Sequence, residues 1–153
     1  MKVDNVTREE QIVGGLALLL LLDLLILPWF SPTGISLTGT DSPDSLLGLL
    51  SVIALLLLIA DLAVERFSPQ IQVPALGGSR ATTRFVLAAA AAGFMALKFL
   101  LQLSHFSDLG FGFWLGALLA GALVYFAMQA RSGSVSFPTR PRSGTTPRGG
   151  TPA

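Results

Sequence analysis

The chain contains no cysteine and a single histidine, His105, among its 153 residues. Without cysteine there are no disulfides, thiolate metal sites or cysteine nucleophiles, and one histidine cannot form a multi-histidine metal centre. Lysine and asparagine are also rare, with only Lys2, Lys98 and Asn5 present, a bias that indicates a GC-rich, bacterial genome. No nucleophile–base pair or metal-ligand cluster is visible. We therefore predict a protein that is not an enzyme and that needs no cofactor and no metal.

Charged residues make up only 12% of the chain, against 52% hydrophobic residues and a mean hydropathy of +0.68. This composition is too apolar for an ordinary soluble domain. Four apolar stretches, at about 11–30, 45–64, 84–103 and 109–130, reach the roughly 20 residues that cross a bilayer. The sequence therefore predicts an all-α, integral membrane four-helix bundle over residues 11–130, after a short N-terminal segment, 1–10.

The tail, 131–153, has four arginines, no acidic residue and many Ser, Thr, Pro and Gly residues. It has too little apolar surface to fold alone, so we predict that it is disordered. Its arginines are sparse and lack an aromatic platform. We therefore expect it to lie near anionic membrane lipids, and we expect no nucleic-acid partner.

Lysine and arginine are missing from two of the regions between spans, 31–44 and 104–108. Nine of the ten basic residues fall on the other side of a four-span chain, Lys98 being the exception. The positive-inside rule therefore predicts that both termini and the 66–84 connection are cytoplasmic. Trp29, at the end of the first span, and Trp114, near the start of the fourth, suit the outer interfacial belt.

Capping patterns precede the spans. Thr7 to Glu10 has the pattern of a capping box, and Asp44 is placed to cap the second span. Thr82 or Thr83 is placed to cap the third.

Three ionisable residues lie inside the apolar stretches: Asp23, Asp61 and Lys98. Counted from predicted helix starts at Gln11 and Arg84, Asp23 lies roughly 18 Å deep and Lys98 roughly 21 Å deep. Opposite charges at similar depth predict an ion pair, since pairing is the least costly way to keep both in hydrocarbon. We interpret it as a structural pair that fixes helix packing, with a proton- or ion-coupling site as the alternative.

Asp61 lies within about one turn of the predicted cytoplasmic interface. We interpret it as a solvated helix end within reach of Arg66 or Arg84.

Polar residues on the second and third spans recur at steps of three and four, so each set lies on one helix face. We predict that both faces point into the bundle, with Ser51, Asp61 and Gln102 as interior polar positions. On the third span the face comprises Arg84, Ala88, Ala91, Met95, Lys98, Gln102 and His105, and on the second Asp44, Leu47, Ser51, Ala54, Leu58, Asp61 and Glu65.

The fourth span carries small residues at four-residue spacing: Gly112, Gly116 and Ala120. Such a ridge permits close approach of another helix. We predict packing inside the bundle, against the alanines of the third span, in preference to a dimer interface.

Leu27-Pro28-Trp29-Phe30 closes the first span, and Gly77-Gly78-Ser79-Arg80 precedes the third. In this layout the chain resembles, over roughly its first 130 residues, small four-span membrane proteins of unassigned function from high-GC Gram-positive bacteria. The resemblance implies a bacterial plasma membrane and brings no catalytic residue with it.

Two functions follow from these observations. The first is an accessory or scaffold subunit of a membrane complex, with a membrane protein or a second copy of the chain as partner. The second is a small transporter or channel component that uses Asp23 and Lys98 for ion or proton coupling. A membrane enzyme ranks third.

Overall fold

The structure is a computed structural model that describes residues 8–31, 34–41, 44–68, 70–71 and 78–132. Its helices are α1 (Arg8–Ile26), α2 (Ser45–Phe67), α3 (Arg80–Gln102) and α4 (Phe111–Arg131), with a 3-10 segment at Leu103–Asp108. The predicted all-α, four-helix fold is confirmed. The tail from residue 133 onward and Thr7 of the predicted capping box lie outside the described residues.

Three of the helices, α2, α3 and α4, are long and apolar enough to cross a membrane. The 19-residue α1 is less clearly apolar, because Arg8, Glu9, Glu10 and Asp23 all lie within it. Large aliphatic side chains cover the outside of the bundle, among them Leu18, Leu19, Leu49, Leu56, Leu57, Leu100, Leu101 and Leu118. A surface of this kind suits lipid and not water, as expected of an integral membrane protein.

The helices form a ring in which α1 packs on α2, α2 on α3, α3 on α4 and α4 on α1. We call one end of the ring the arginine end, since Arg8, Arg66, Arg80 and Arg131 lie there. We call the other the acidic end; its described connections contain no lysine or arginine and carry Asp41, Asp44 and Asp108.

The acidic end is closed by the chain that follows α1. This helix ends at Ile26 and not near Phe30, because Pro28 disfavours helical geometry at the residue before it. The chain then turns back: the Trp29 and Phe30 amides donate to the Leu37 carbonyl at 2.7 and 3.1 Å. The Gly110 amide donates to the Trp29 carbonyl at 2.8 Å, which joins this segment to the start of α4.

The third helix begins at Arg80, earlier than expected, because Ser79 caps it by accepting the Thr82 amide at 3.1 Å. Asp44 takes the N-cap position of α2 but makes no side-chain cap bond. Its carboxylate accepts a hydrogen bond from Gln102 at 2.8 Å instead. The polar side chains near the helix starts thus serve both capping and contacts between helices.

The core is built from small and aliphatic side chains, because lipid offers helices no hydrophobic drive to associate and close packing must hold them together. Ala88 and Ala91 of α3 are fully buried and bring its backbone close to the neighbouring helices. Other fully buried core residues are Ala17, Leu20, Leu24, Leu55, Leu58 and Leu123.

Candidate functional site

Asp23 lies in the bundle interior near the acidic end, where its side chain is 1% exposed. Its Oδ2 accepts a hydrogen bond from the Trp29 indole Nε1 at 3.1 Å. Its Oδ1 is buried and, among the described residues, has no hydrogen-bond partner. The turn after α1 places the indole here, because Trp29 lies only a few residues beyond the carboxylate it meets.

Lys98 is equally buried, on the interior face of α3. Its Nζ donates to the backbone carbonyls of Gly39 at 2.6 Å and Asp41 at 3.2 Å. The ammonium also lies 5.6 Å from the centre of the Phe30 ring. Lys98 therefore ties the connection between α1 and α2 onto the acidic end of the bundle.

The predicted ion pair between Asp23 and Lys98 is not formed. Both residues instead contact the segment that closes the acidic end. That segment brings the Trp29 indole to the carboxylate and two backbone carbonyls to the ammonium. These partners belong to the connection and not to a helix, so the positions of the two residues along their helices do not predict them.

Two further polar contacts lie on the interior faces of α2 and α3. The Ser51 hydroxyl donates to the carbonyls of Leu47 at 3.0 Å and Ala91 at 3.1 Å, linking the two helices. Gln102 is buried and contacts Asp44, as described above. Of the expected α3 face, every residue from Arg84 to Gln102 is buried, while the His105 side chain lies outside the described residues.

The connection held by Lys98 has its own polar contacts. The Thr38 amide and hydroxyl both donate to Asp41 Oδ2 at 2.8 Å. These bonds, the amide first, lower the pKa of the Asp41 carboxyl below its ordinary value. Asp41 is therefore a charged carboxylate that stabilises the local turn.

A second cluster of charges lies at the arginine end, centred on the buried Arg84. Its Nε donates to Asp61 Oδ2 at 2.7 Å and its Nη1 to Glu10 Oε1 at 2.5 Å, while its Nη2 contacts Glu65 Oε2. Arg80 Nη1 lies 3.8 Å from Glu65 Oε1. One guanidinium thus joins α1, α2 and α3, using the fixed fork of donors that arginine offers to carboxylates.

The expectation that Asp61 is a solvated helix end is wrong, because the residue is 7% exposed and its carboxylate is paired with Arg84. Arg84 was one of the two partners that its position suggested. Glu10, which the sequence pattern places in a capping box, also belongs to this cluster, and the capping pattern does not predict that contact. The charge of Arg84 indicates such a cluster, because an arginine on the interior face of α3 needs carboxylates near it at the same end of the bundle.

Gly112 and Gly116 of α4 are buried mainly against the end of α1, and Gly116 also lies beside Met95 of α3. Ala120 lines a groove together with Ala92 and Ala96 of α3. Gly112 faces Leu27 and Pro28, and Gly116 faces Asp23 and Trp29. Ala120 is also buried. Trp29 itself is 1% exposed and is not an interfacial belt residue, whereas Trp114 is 47% exposed.

Two of the grooves on the outside of the bundle are lined by described residues. The larger, about 450 Å³, lies between α3 and α4 and is almost wholly apolar. Alanine and glycine form much of its lining, including Ala92, Ala96, Ala117 and Gly121, with Phe99 and Phe113 beside them. The smaller groove, about 380 Å³, lies between α1 and α4 and is aliphatic except for Asp23.

Among the described residues, no group of three or more His, Asp or Glu side chains is arranged to hold a metal ion. In comparisons with known proteins, no protein family, curated protein or solved structure matches the chain.

Proposed function

We propose that the protein is a non-enzymatic accessory or scaffold subunit of a membrane complex in a bacterial plasma membrane, with both termini cytoplasmic. The main observation in support of this proposal is that both buried cations in the described part of the chain, Lys98 and Arg84, are bound by groups of the chain itself. Lys98 is bound by the chain's own carbonyls at one end, and Arg84 by three carboxylates at the other. Side chains engaged in this way hold helices and connections together.

The interior between these two ends supports the same proposal. Along α3, Lys98 lies 14 residues beyond Arg84, which is roughly 21 Å of helix. The buried α3 residues between them are Ala88, Ala91 and Met95. Transport routes are lined by ionisable or polar groups or by water. A coupling role for Asp23 and Lys98 also depended on a direct pair, which is not formed.

The outer surface offers places where a partner can bind. The groove between α3 and α4 exposes Ala96, Ala117 and Gly121, small residues that allow the backbone of another helix to come close. In a membrane, helices associate through such surfaces and through hydrogen bonds between them. A transmembrane segment of a second protein fits both the apolar lining and the location.

The test is purification of the full chain from its native membrane in mild detergent, followed by measurement of the mass and composition of the particle. We expect one second protein in fixed stoichiometry with the chain. Gly121→Leu should reduce its recovery, because the leucine projects into the groove from a position with no neighbouring atom within 4 Å. A matched change outside the groove, Leu57→Ala, should leave recovery unchanged.

Recovery of the chain alone, or only as copies of itself, would contradict the proposal. So would ion-dependent transport by the purified chain in vesicles.

A further inference from the structure

The Asp23 carboxylate accepts fewer hydrogen bonds than its two oxygens allow. A carboxylate has two oxygens and room for about four hydrogen bonds. Asp23 receives one, from Trp29 to Oδ2, and Oδ1 is the one buried side-chain polar atom of the described residues that lacks a partner. An unpaired polar group in hydrocarbon destabilises the folded protein. The free oxygen therefore marks a place where a hydrogen-bond donor would stabilise the protein.

The surroundings of Asp23 show from which side a donor can come. The residue lines the groove between α1 and α4, whose other walls are leucine and isoleucine side chains. Three of these, Leu19, Leu22 and Ile26, are 53%, 43% and 67% exposed on the outer face of α1. This groove therefore opens toward lipid, and whatever reaches Asp23 through it comes from within the membrane.

The described lysine and arginine side chains of this chain either bind other groups or lie at the opposite end of the bundle from Asp23. Lys98 Nζ binds Gly39 and Asp41, and Arg84 binds its carboxylates at the opposite end. Arg8, Arg66, Arg80 and Arg131 also belong to the arginine end. An ion from water would have to cross the aliphatic walls without its hydration shell, which is costly. A lysine on another transmembrane helix is already at that depth.

We propose that Asp23 is the docking point for a transmembrane helix of another protein that lies in the α1–α4 groove and presents a lysine to the free carboxylate oxygen. This rests on the proposed accessory function and adds a second contact surface, separate from the α3–α4 groove, with a charged group at its centre. The aliphatic walls supply the packing surface, and the pair of opposite charges sets the register between the two helices. Pairing of this kind places each charge beside its counter-charge, which is the least costly way to hold both charges in hydrocarbon.

The test uses the full chain in phosphatidylcholine vesicles and synthetic transmembrane peptides as partners. The chain has no cysteine, so Phe67→Cys, at an exposed position on α2, accepts a single fluorophore. One peptide is a leucine–alanine helix of about 20 residues. A second carries one lysine at the depth of Asp23, and a third carries one glutamate there. Energy transfer to a dye on the peptide reports association.

We expect the lysine peptide to bind at least tenfold more tightly than the other two. Asp23→Asn should abolish this preference, because the amide keeps the size and the oxygen that accepts from Trp29 but removes the charge. Asp108→Asn is the matched control, since it removes a carboxylate at the acidic end that does not line the groove. It should leave the preference unchanged.

Equal binding of the three peptides to the unmodified chain would overturn the inference. So would a lysine preference that survives Asp23→Asn, or self-association of labelled chains that the lysine peptide does not displace. The native-membrane purification separates this failure from that of the proposed function. A native complex that persists in Asp23→Asn would refute the docking point and leave the accessory role standing.

Discussion

Gly116 lies at the point where α4 comes closest to Asp23 and Trp29. A methyl group added there would lie 2.5 Å from Asp23 Oδ2 and 2.6 Å from Trp29 Cζ2. The indole is held between the carboxylate and the Phe113 ring, whose centre is 5.6 Å away. Both groups are buried and are joined to each other by a hydrogen bond. The missing side chain of Gly116 is thus what allows a tryptophan and an aspartate to be buried together.

We expect Gly116→Ala to lower the free energy of unfolding by about 1 to 3 kcal/mol, as overpacking of a filled core does. The measurement is thermal or chemical unfolding of the purified protein in detergent. Gly121→Ala is the matched control on the same helix, since nothing lies within 4 Å of the added methyl. It should be neutral or slightly stabilising. Equal effects of the two changes would contradict the close packing described here.

For single residues, the sequence pattern predicted which side chains of a helix are buried, but it did not predict which groups those side chains bind. The spacing on α3 identified the buried face, because period-3.6 geometry decides which side chains share a side. The partners of Asp23 and Lys98 were not predictable in this way. They come from a turn and a connection whose path depends on Pro28 and on tertiary contacts, and helix periodicity carries no information about either.

Helices α1, α2 and α3 are joined at the arginine end by one side chain. Arg84 is buried and contacts carboxylates of both neighbouring helices, whereas Arg80, one turn earlier, is half-exposed and lies farther from Glu65. The two arginines have the same charge and lie on the same helix. They differ in burial and in geometry, and this contrast provides a direct test of what holds the three helices together.

We expect Arg84→Gln to destabilise the bundle by about 3 to 5 kcal/mol, because it leaves the buried Asp61 carboxylate without its counter-charge. Arg80→Gln should cost at most about 1 kcal/mol, as is usual for exposed ion pairs. Unfolding in detergent compares the two variants. The double change Arg84→Leu with Asp61→Leu should recover much of the loss. Similar costs for the two single variants would argue against the buried cluster.

The sequence predicted all four helices but placed several ends a few residues away from where they lie. The apolar runs mark the spans because hydropathy is the strongest signal in such a chain. Helix ends depend on local caps and on the residues beyond them. Ser79 extends α3 backward, and the bridge between Phe30 and Leu109 delays α4 until Phe111.

As a whole, the molecule has two ends of opposite character, which is the basis of its predicted orientation. We expect a cysteine at Ile35 to react with a membrane-impermeant maleimide in intact cells. A cysteine at Ile71 should react only after the membrane is opened. Both isoleucines are well exposed, at 64% and 55%, and no native cysteine competes. The reverse pattern of labelling would overturn the orientation given by the positive-inside rule.

The contacts between Pro28, Trp29 and the start of α4 bear on how the protein is made. The Trp29 and Pro28 carbonyls accept hydrogen bonds from the amides of Gly110 and Gly112, so the end of α1 is completed only after the start of α4 has been synthesised. Until then, Asp23 lacks the packing that buries it. The newly inserted α1 must therefore wait for α4, and a product that ends before α4 would leave Asp23 without the helix that packs against it.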